Sequence, residues 1–88
     1  MLYTLDGNLI TDRATLHLHL RQQLPLPDYY GSNLDALYDA LTEMTECVIE
    51  LHHEAAMIAH LGQTQAERVI RTIEQAALDN PVLTFHRV

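Results

Sequence analysis

A run of leucines spaced by three and four residues marks the middle of the chain as an amphipathic helix. Leu34, Leu37 and Leu41 fall on one side of a 3.6-residue repeat, the spacing of a helix face that packs on a core. The charged residues of the same stretch fall on the opposite side. The pattern predicts a helix over residues 33–44, with its apolar side in the core and its acidic side at the surface.

The rest of the chain alternates between short apolar strands and longer helices. The pattern predicts, in order, a strand over residues 1–6 with a turn at Gly7-Asn8, a helix from about 12 to 24, a loop over 25–32, a strand over 47–51, helices over 55–61 and 64–79, and a strand over 82–85. Strands joined through helical crossovers pair in parallel. The fold class is therefore α/β, a single small domain over residues 1–88 with helices packed on a three-stranded parallel sheet.

Three helix starts carry capping patterns. Thr11 or Asp12 can cap the first helix, and Thr64-x-x-Glu67 fits a capping box for the last one. Ser32-x-x-Asp35 resembles a capping box in which Asp replaces the usual Glu or Gln. A carboxylate in a first turn is also favoured by the helix dipole. Asp35 is therefore explained by capping at least as well as by a binding role.

Asp39 lies one turn further along and has no capping role. Asp35 and Asp39 are spaced i, i+4, where like charges repel and weaken a helix, and no Lys or Arg lies near them in sequence. Tyr38 and Thr42 add a ring and a hydroxyl beside them. Exposed acids on helices are common, so a solvated surface and a contact surface for a cationic partner both stay open.

The charge distribution favours a basic partner. The formal net charge is -7, all five basic residues are Arg, and none lies between Arg21 and Arg68. Such a one-signed segment repels nucleic acid and attracts basic proteins. No apolar run approaches the ~20 residues that span a bilayer, the N-terminus lacks the features of a signal peptide, and the single Cys47 cannot form an internal disulfide. These features predict a cytoplasmic protein.

Catalytic and metal chemistry find little support in the sequence. Cys47 lies in a predicted strand, where a small buried hydrophobe is the simpler interpretation. The pairs His17/His19 and His52/His53 are spaced so that their members diverge, and no His-Glu-x-x-His pattern exists. An acid–base pair needs a cleft with contrasting environments, which an exposed helix face does not offer. We expect no enzyme activity, no cofactor and no metal.

The stretch Tyr29-Tyr30-Gly31-Ser32-Asn33-Leu34-Asp35-Ala36-Leu37-Tyr38-Asp39-Ala40-Leu41-Thr42 resembles the signature of the barstar family of intracellular ribonuclease inhibitors. The match is dense over residues 25–42. The resemblance implies that the acidic helix and the preceding loop block the basic RNA-binding site of a secreted or toxic, barnase-like ribonuclease in a 1:1 complex. In interfaces of this kind, the barnase–barstar complex among them, complementary fields speed association and desolvated charge pairs slow dissociation.

The resemblance also implies roles for individual residues. Asp39 is the central anion, Asp35 a second anion beside it, and Tyr29 a ring that stacks on the partner. Of Tyr29 and Tyr30, we expect one ring to pack and one to be available. The implied partner-binding positions are Tyr29, Tyr30, Asn33, Leu34, Asp35, Tyr38, Asp39, Thr42, Glu43, Met44, Glu46, Glu74 and Gln75.

Two positions depart from the family pattern. Tyr38 stands where the motif commonly has tryptophan, and an expected acid on the last long helix falls on Gln75, with Glu74 one residue earlier. A one-residue offset rotates a side chain by about 100°. Both departures suggest a partner other than barnase itself, either a related ribonuclease or another nuclease toxin with a basic site. Two alternatives rank below the inhibitor. The second is a barstar-fold binding or immunity module for another basic nuclease toxin or regulatory partner, and the third is a small hydrolase.

Overall fold

Three parallel strands and four α-helices make up the computed structural model, which describes residues 1–88. In chain order, the elements are β1 (Leu2–Asp6), a 3-10 turn (Gly7–Leu9), α1 (Arg13–Gln23), α2 (Leu34–Thr42), β2 (Cys47–His52), α3 (Glu54–Leu61), α4 (Gln63–Asp79) and β3 (Leu83–Arg87). The strand order in the sheet is β1-β2-β3, and both pairings are parallel. The predicted α/β class and the predicted order of elements are confirmed.

The sheet buries one of its two faces. In the central strand β2, Cys47, Ile49 and Leu51 are buried and alternate with half-buried residues, as expected for side chains that point to opposite faces. Leu5 pairs with Leu51 across β1 and β2. This face joins one core cluster with the apolar sides of the helices, including Leu37 of α2. α2 therefore shares one core with the sheet, and its main packing partner is α4.

The helix that carries the acidic residues is shorter than predicted. It ends at Thr42 rather than near residue 44. Its N-cap is Asn33, whose side-chain oxygen accepts from the amide of Ala36 at 2.7 Å. The predicted Ser32 cap is wrong, because Ser32 has a positive φ of 53° and its hydroxyl is hydrogen-bonded to Arg21.

The other helix starts gave one confirmed cap and one error. Asp12 caps α1 and forms a reciprocal capping box with Thr15. The predicted capping box at Thr64 is wrong: α4 begins at Gln63, directly after Gly62, and has no side-chain cap. Gly62 joins the end of α3 directly to the start of α4. Its φ of +86° is a conformation that favours glycine.

One backbone contact positions the start of α3 against the first turn of the chain. Gly7 packs so closely on the carbonyl of His53 that a Cβ at this position would lie 2.0 Å from its oxygen. His53 precedes α3 in a left-handed conformation, and its ring nitrogen Nδ1 lies 2.9 Å from Asp6.

None of the four helices has the length and apolar character that crossing a membrane requires.

Candidate functional site

The two acids of α2 point away from the core and are free of internal partners. Leu37 and Leu41 are fully buried, which fixes the rotation of the helix and turns the opposite side outward. Asp35 and Asp39 are exposed, and neither carboxylate takes part in any side-chain hydrogen bond or ion pair of the structure. Thr42 is half-buried, and its hydroxyl donates to the backbone oxygen of Asp39 at 2.9 Å.

The two neighbouring tyrosines have opposite environments. Tyr29 is 83% exposed and Tyr30 only 4%, so the prediction that one ring packs and one is available is confirmed. Burial raises the pKa of Tyr30 to about 12, which keeps its hydroxyl protonated at neutral pH. That hydroxyl lies 2.6 Å from Nδ1 of His17. Because so little of Tyr30 reaches the surface, its ring supports the loop, and its place among the predicted contacts stays a prediction.

The loop before α2 is held by α1. Arg21 donates to the backbone oxygen of Tyr30 at 2.9 Å and to the hydroxyl of Ser32 at 2.7 Å, and its guanidinium group lies over the Tyr30 ring. His17 is buried, and burial together with Arg13 and Arg21 lowers its pKa. Both effects favour the neutral ring, whose Nδ1 can accept a hydrogen bond from the Tyr30 hydroxyl. These bonds leave Tyr29 exposed at the tip of an anchored loop.

A depression between this loop and α2, here called the loop groove, gathers four of the predicted contacts. Its lining residues are Pro27, Tyr29, Tyr30, Ala36, Asp39, Ala40 and Glu43. Small alanine side chains form its floor on α2, while Tyr29, Asp39 and Glu43 supply a ring and two carboxylates. Sequence positions up to sixteen residues apart thus meet around one concave, acidic surface.

A second depression, the helix groove, runs between α2 and α4. Its lining includes Leu34, Asp35, Tyr38, Glu74 and Gln75. Both candidates for the last-helix contact therefore border the same groove. Glu74 faces Arg87, with 3.9 Å between carboxylate and guanidinium, whereas Gln75 turns toward the end of its own helix.

The remaining predicted contacts divide by exposure. Glu43 and Glu46 are exposed, and Glu43 is the C-cap of α2. Leu34 and Met44 are half-buried and pack against the core. Asn33 is exposed but already committed to capping α2. The surface around α2 therefore offers acids and partly covered apolar groups to a partner.

The cations of the protein avoid the acidic end of this surface. Arg87 forms a two-bond ion pair with Glu54, at 2.7 Å for each bond, which lowers the pKa of that carboxyl. No Arg lines the loop groove. The structure contains no group of three or more His, Cys, Asp and Glu residues that could hold a metal ion. The loop groove is therefore an anionic surface without an arginine in its lining.

A family model described as "Barstar (barnase inhibitor)" matches residues 1–85. The chain belongs to the barstar family. A curated relative from Bacillus subtilis (strain 168), named "Putative ribonuclease inhibitor YrdF", is 43% identical over 47 residues. The aligned part covers 53% of this chain and 52% of that protein, so the chain spans about half the length of the curated relative it matches. The barstar resemblance predicted from residues 25–42 is confirmed.

The departure from the barstar motif at Tyr38 has a structural counterpart on α4. The hydroxyl of Tyr38 donates to the carboxylate of Asp79, and that carboxylate raises the pKa of Tyr38. Gln75 also donates to Asp79, at 3.3 Å. A tryptophan has no hydroxyl to make this bond. In this barstar-family protein the two departing positions, Tyr38 and Gln75, thus meet at one carboxylate.

Asp79 and Asn80 were not found from the sequence as parts of the site. The buried amide of Asn80 donates to the backbone oxygens of Leu41 at 2.9 Å and of Met44 at 3.0 Å. Tyr38 and Asp79 are 41 positions apart. No local pattern signals such contacts, because they depend on how α4 packs along α2.

Proposed function

We propose that this protein is an inhibitor of a ribonuclease, and that it inserts α2 and the preceding loop into the basic site where the enzyme binds RNA. The observation that carries the proposal is Asp39, an exposed carboxylate without an internal partner, on a helix whose other side is buried. The helix already fixes the backbone of Asp39, so binding restricts only one short side chain. Membership of a family described as barnase inhibitors supports the same function.

The chemistry of the loop groove is complementary to an enzyme site that binds RNA phosphates. Asp39 and Glu43 present two carboxylates, and arginine binds carboxylate and phosphate with the same bidentate geometry. Tyr29 adds an exposed aromatic ring, which can stack on a guanidinium or imidazole group of the enzyme. The acids of α2 would therefore occupy the positions of RNA phosphates.

The overall charge supports the same partner class. The formal net charge is -7, which attracts a basic enzyme from a distance and speeds encounter at low salt. The same charge opposes binding to nucleic acid. We infer a 1:1 complex formed in the cytoplasm of the producing cell, by a protein that is monomeric until it binds.

We infer further that the protein acts by binding alone. Asp35 and Asp39 lie on the exposed face of one helix, whereas a general acid–base pair depends on two environments that drive the pKa values apart. The only cysteine, Cys47, is buried, and burial raises its pKa. A buried thiol of raised pKa is a poor nucleophile.

A second candidate is a binding or immunity module for another basic nuclease toxin or a regulatory partner. The bond between Tyr38 and Asp79 favours this candidate over strict barnase specificity. This bond links a ring smaller than tryptophan to α4. Gln75, an uncharged side chain, lies at the position where the family pattern expects an acid. The helix groove would then suit a different enzyme surface.

Titration of a panel of small microbial ribonucleases tests the proposal. Increasing amounts of wild-type protein and of Asp39→Ala are added to each enzyme, and RNA cleavage is followed. Stoichiometric inhibition by the wild type that is lost in Asp39→Ala is the expected result. Glu67→Ala is the matched control, because Glu67 is an exposed acid of α4 outside both grooves. Equal inhibition by Asp39→Ala and wild type would contradict the proposal, and inhibition of none of the enzymes would favour the second candidate.

A further inference from the structure

A polar pocket lies where the N-terminal parts of three helices meet, next to the surface described above. We call it the N-terminal pocket. Its polar lining consists of Arg13 and His17 of α1, Asn33 and Asp35 at the start of α2, and Gln65 and Arg68 of α4. Nothing in the inhibitor mechanism proposed above uses it, although it shares Asn33 and Asp35 with the predicted contact surface.

Several hydrogen-bond donors in this pocket lack acceptors. The guanidinium groups of Arg13 and Arg68 form no ion pair or hydrogen bond with the rest of the protein. The first-turn amides of Leu34 and Asp35 have no acceptor either, because the Asn33 side chain caps only the amide of Ala36. Helix N-terminal amides carry partial positive charge. Two arginines and a helix N-terminus thus converge on one cavity.

His17 supplies an independent sign that the pocket is built for a ligand. Its side chain is buried, with only 6% of the residue exposed, and Nδ1 is bound to the Tyr30 hydroxyl. When the Tyr30 hydroxyl is the donor of that bond, the imidazole proton lies on Nε2, which has no other hydrogen-bond partner. Every fully buried side-chain N or O atom of the protein has a partner, so Nε2 keeps accessible surface. The N-terminal pocket and a neighbouring cavity are both lined by His17 and Arg13, so the His17 ring borders arginine-lined space.

The only acid in the pocket is Asp35. It lies at the rim shared with the helix groove, where it is exposed and unpaired. One carboxylate is outweighed by two guanidinium groups together with the helix N-terminus. The donors on all three helices point to a compact anion with several oxygen acceptors.

We propose that the N-terminal pocket binds an oxoanion, either a carboxylate or a phosphate group. Such a group can come from an acidic side chain of the partner or from free inorganic phosphate. The first source rests on the proposed inhibitor function, since the pocket adjoins the surface that would contact the enzyme. It implies a partner whose basic site is bordered by an acidic residue. The pocket itself does not depend on that function.

Inorganic phosphate added to the free protein tests the pocket directly. The titration is followed by ¹⁵N NMR at the His17 ring and at the amides of Leu34 and Asp35, with chloride at equal ionic strength as reference. Saturable shifts are expected in the wild type. In the Arg13→Gln/Arg68→Gln variant the affinity for phosphate should fall by roughly tenfold or more, because two charged donors are lost.

Arg71→Gln is the matched control for this titration. Arg71 is also an exposed, unpaired arginine of α4, but it lines the helix groove and not the N-terminal pocket. Its substitution should leave phosphate binding at the wild-type level. Equal phosphate affinity in the wild type and in Arg13→Gln/Arg68→Gln, or shifts that do not saturate in the wild type, would overturn the proposal. The NMR reads the free protein, so its outcome is independent of whether any ribonuclease is inhibited.

A second arm identifies the source of the oxoanion. The dissociation constant of the complex with an inhibited ribonuclease is measured in phosphate and in chloride at equal ionic strength. A partner carboxylate in the pocket predicts that phosphate weakens the wild-type complex but not that of Arg13→Gln/Arg68→Gln. A site for free phosphate predicts saturable NMR shifts with no loss of affinity for the enzyme. Both outcomes support the pocket, and they assign it to different ligands.

Discussion

The two ends of α2 are built in opposite ways. At the N-terminal end, Asn33 caps the helix, and Arg13 and Arg68 lie around it. At the C-terminal end, Asp39 and Glu43 lie in the loop groove, and the last turn contains no basic residue. A helix C-terminus carries partial negative charge and is stabilised by cations. The acids at this end therefore oppose the stability of the free protein and leave a negative surface for a partner to neutralise.

The neutral side chain of Asn80 takes the place that a cation would fill at the C-terminal end. Its amide satisfies the backbone oxygens of Leu41 and Met44, which lie at and just beyond the last turn of α2. An arginine or lysine could make similar bonds but would reduce the negative potential near Asp39. The N-terminal end of α2 therefore has one charge, the first-turn carboxylate of Asp35, that suits the helix dipole, whereas the C-terminal end has none and is held by packing and neutral hydrogen bonds.

Asp39→Ala should have the largest effect and should fall on binding rather than folding. Removing one partner of a desolvated charge pair costs roughly 3–5 kcal/mol, and Asp39 is the acid at the end without cations. Asp35→Ala should weaken binding less, because Arg13 and Arg68 already surround that position. Calorimetric titration of the ribonuclease with both variants measures the difference, and thermal melts of both should match the wild type. A larger loss for Asp35→Ala would reverse the proposed order of the two ends.

Leu37→Ala tests whether both ends of α2 depend on one core. Leu37 is fully buried between them, and a Leu→Ala cavity costs roughly 2–5 kcal/mol of unfolding free energy. Urea denaturation followed by circular dichroism gives that value. Leu78→Ala is the control, because Leu78 is 79% exposed and its substitution should change stability little. Near-wild-type stability of Leu37→Ala would show that the helix does not depend on this contact.

Asn80→Ala tests the C-terminal end of α2 separately from its N-terminal end. Loss of the Asn80 amide removes the side-chain donor from the backbone oxygens of Leu41 and Met44. Leu41 keeps the amide of Met44 as a donor, so one acceptor is left unsatisfied, which costs roughly 1–3 kcal/mol. We expect faster hydrogen exchange in the last turn of α2 and weaker binding of the ribonuclease, with the N-terminal end unchanged. Asn8→Ala, an exposed asparagine outside the site, serves as the reference. Uniform acceleration of exchange along the whole helix would mean that Asn80 supports the global fold instead.

Acidification should lower the free energy of unfolding through His17 and His19, which support the N-terminal end of α2 and β1 respectively. Burial lowers the pKa values of His17 and His19 below the ordinary value of 6.5, and Nε2 of His19 accepts from the amide of Asp6 at 2.9 Å. As the pH falls through 6.5, the unfolded chain takes up protons that the folded protein resists. The free energy of unfolding is therefore fully retained above this pH and declines below it.

Thermal melts at pH 7.5 and 5.5 measure this effect. The melting temperature should be lower at pH 5.5, by about 4–8 °C for each kcal/mol lost in a domain of this size. The carboxyl groups with lowered pKa, such as Asp12 and Glu54, have ordinary values of 3.8 and 4.5, so their contribution is lost at lower pH. His17→Gln/His19→Gln should flatten the dependence between the two pH values. An unchanged slope in that variant would assign the effect to other groups.

The local pattern of the sequence determined the elements and the orientation of α2. The leucine spacing put Leu37 inside and Asp39 outside, because a helix repeats every 3.6 residues whatever it packs against. The dense motif over residues 25–42 predicted the family. Helix ends were less reliable: Ser32 and Asn33 both favour caps, and in the structure Asn33 caps α2 while the Ser32 hydroxyl is bound by Arg21.

The tertiary structure decided everything that depends on distant partners. Tyr29 and Tyr30 are identical side chains side by side, and their separation into an exposed ring and a buried one follows from His17 and Arg21 on another helix. The meeting of Arg13 with Arg68 likewise requires α1 and α4 to converge on α2. Sequence periodicity encodes which side of an element is buried, whereas packing alone determines which neighbours each exposed or buried group finds.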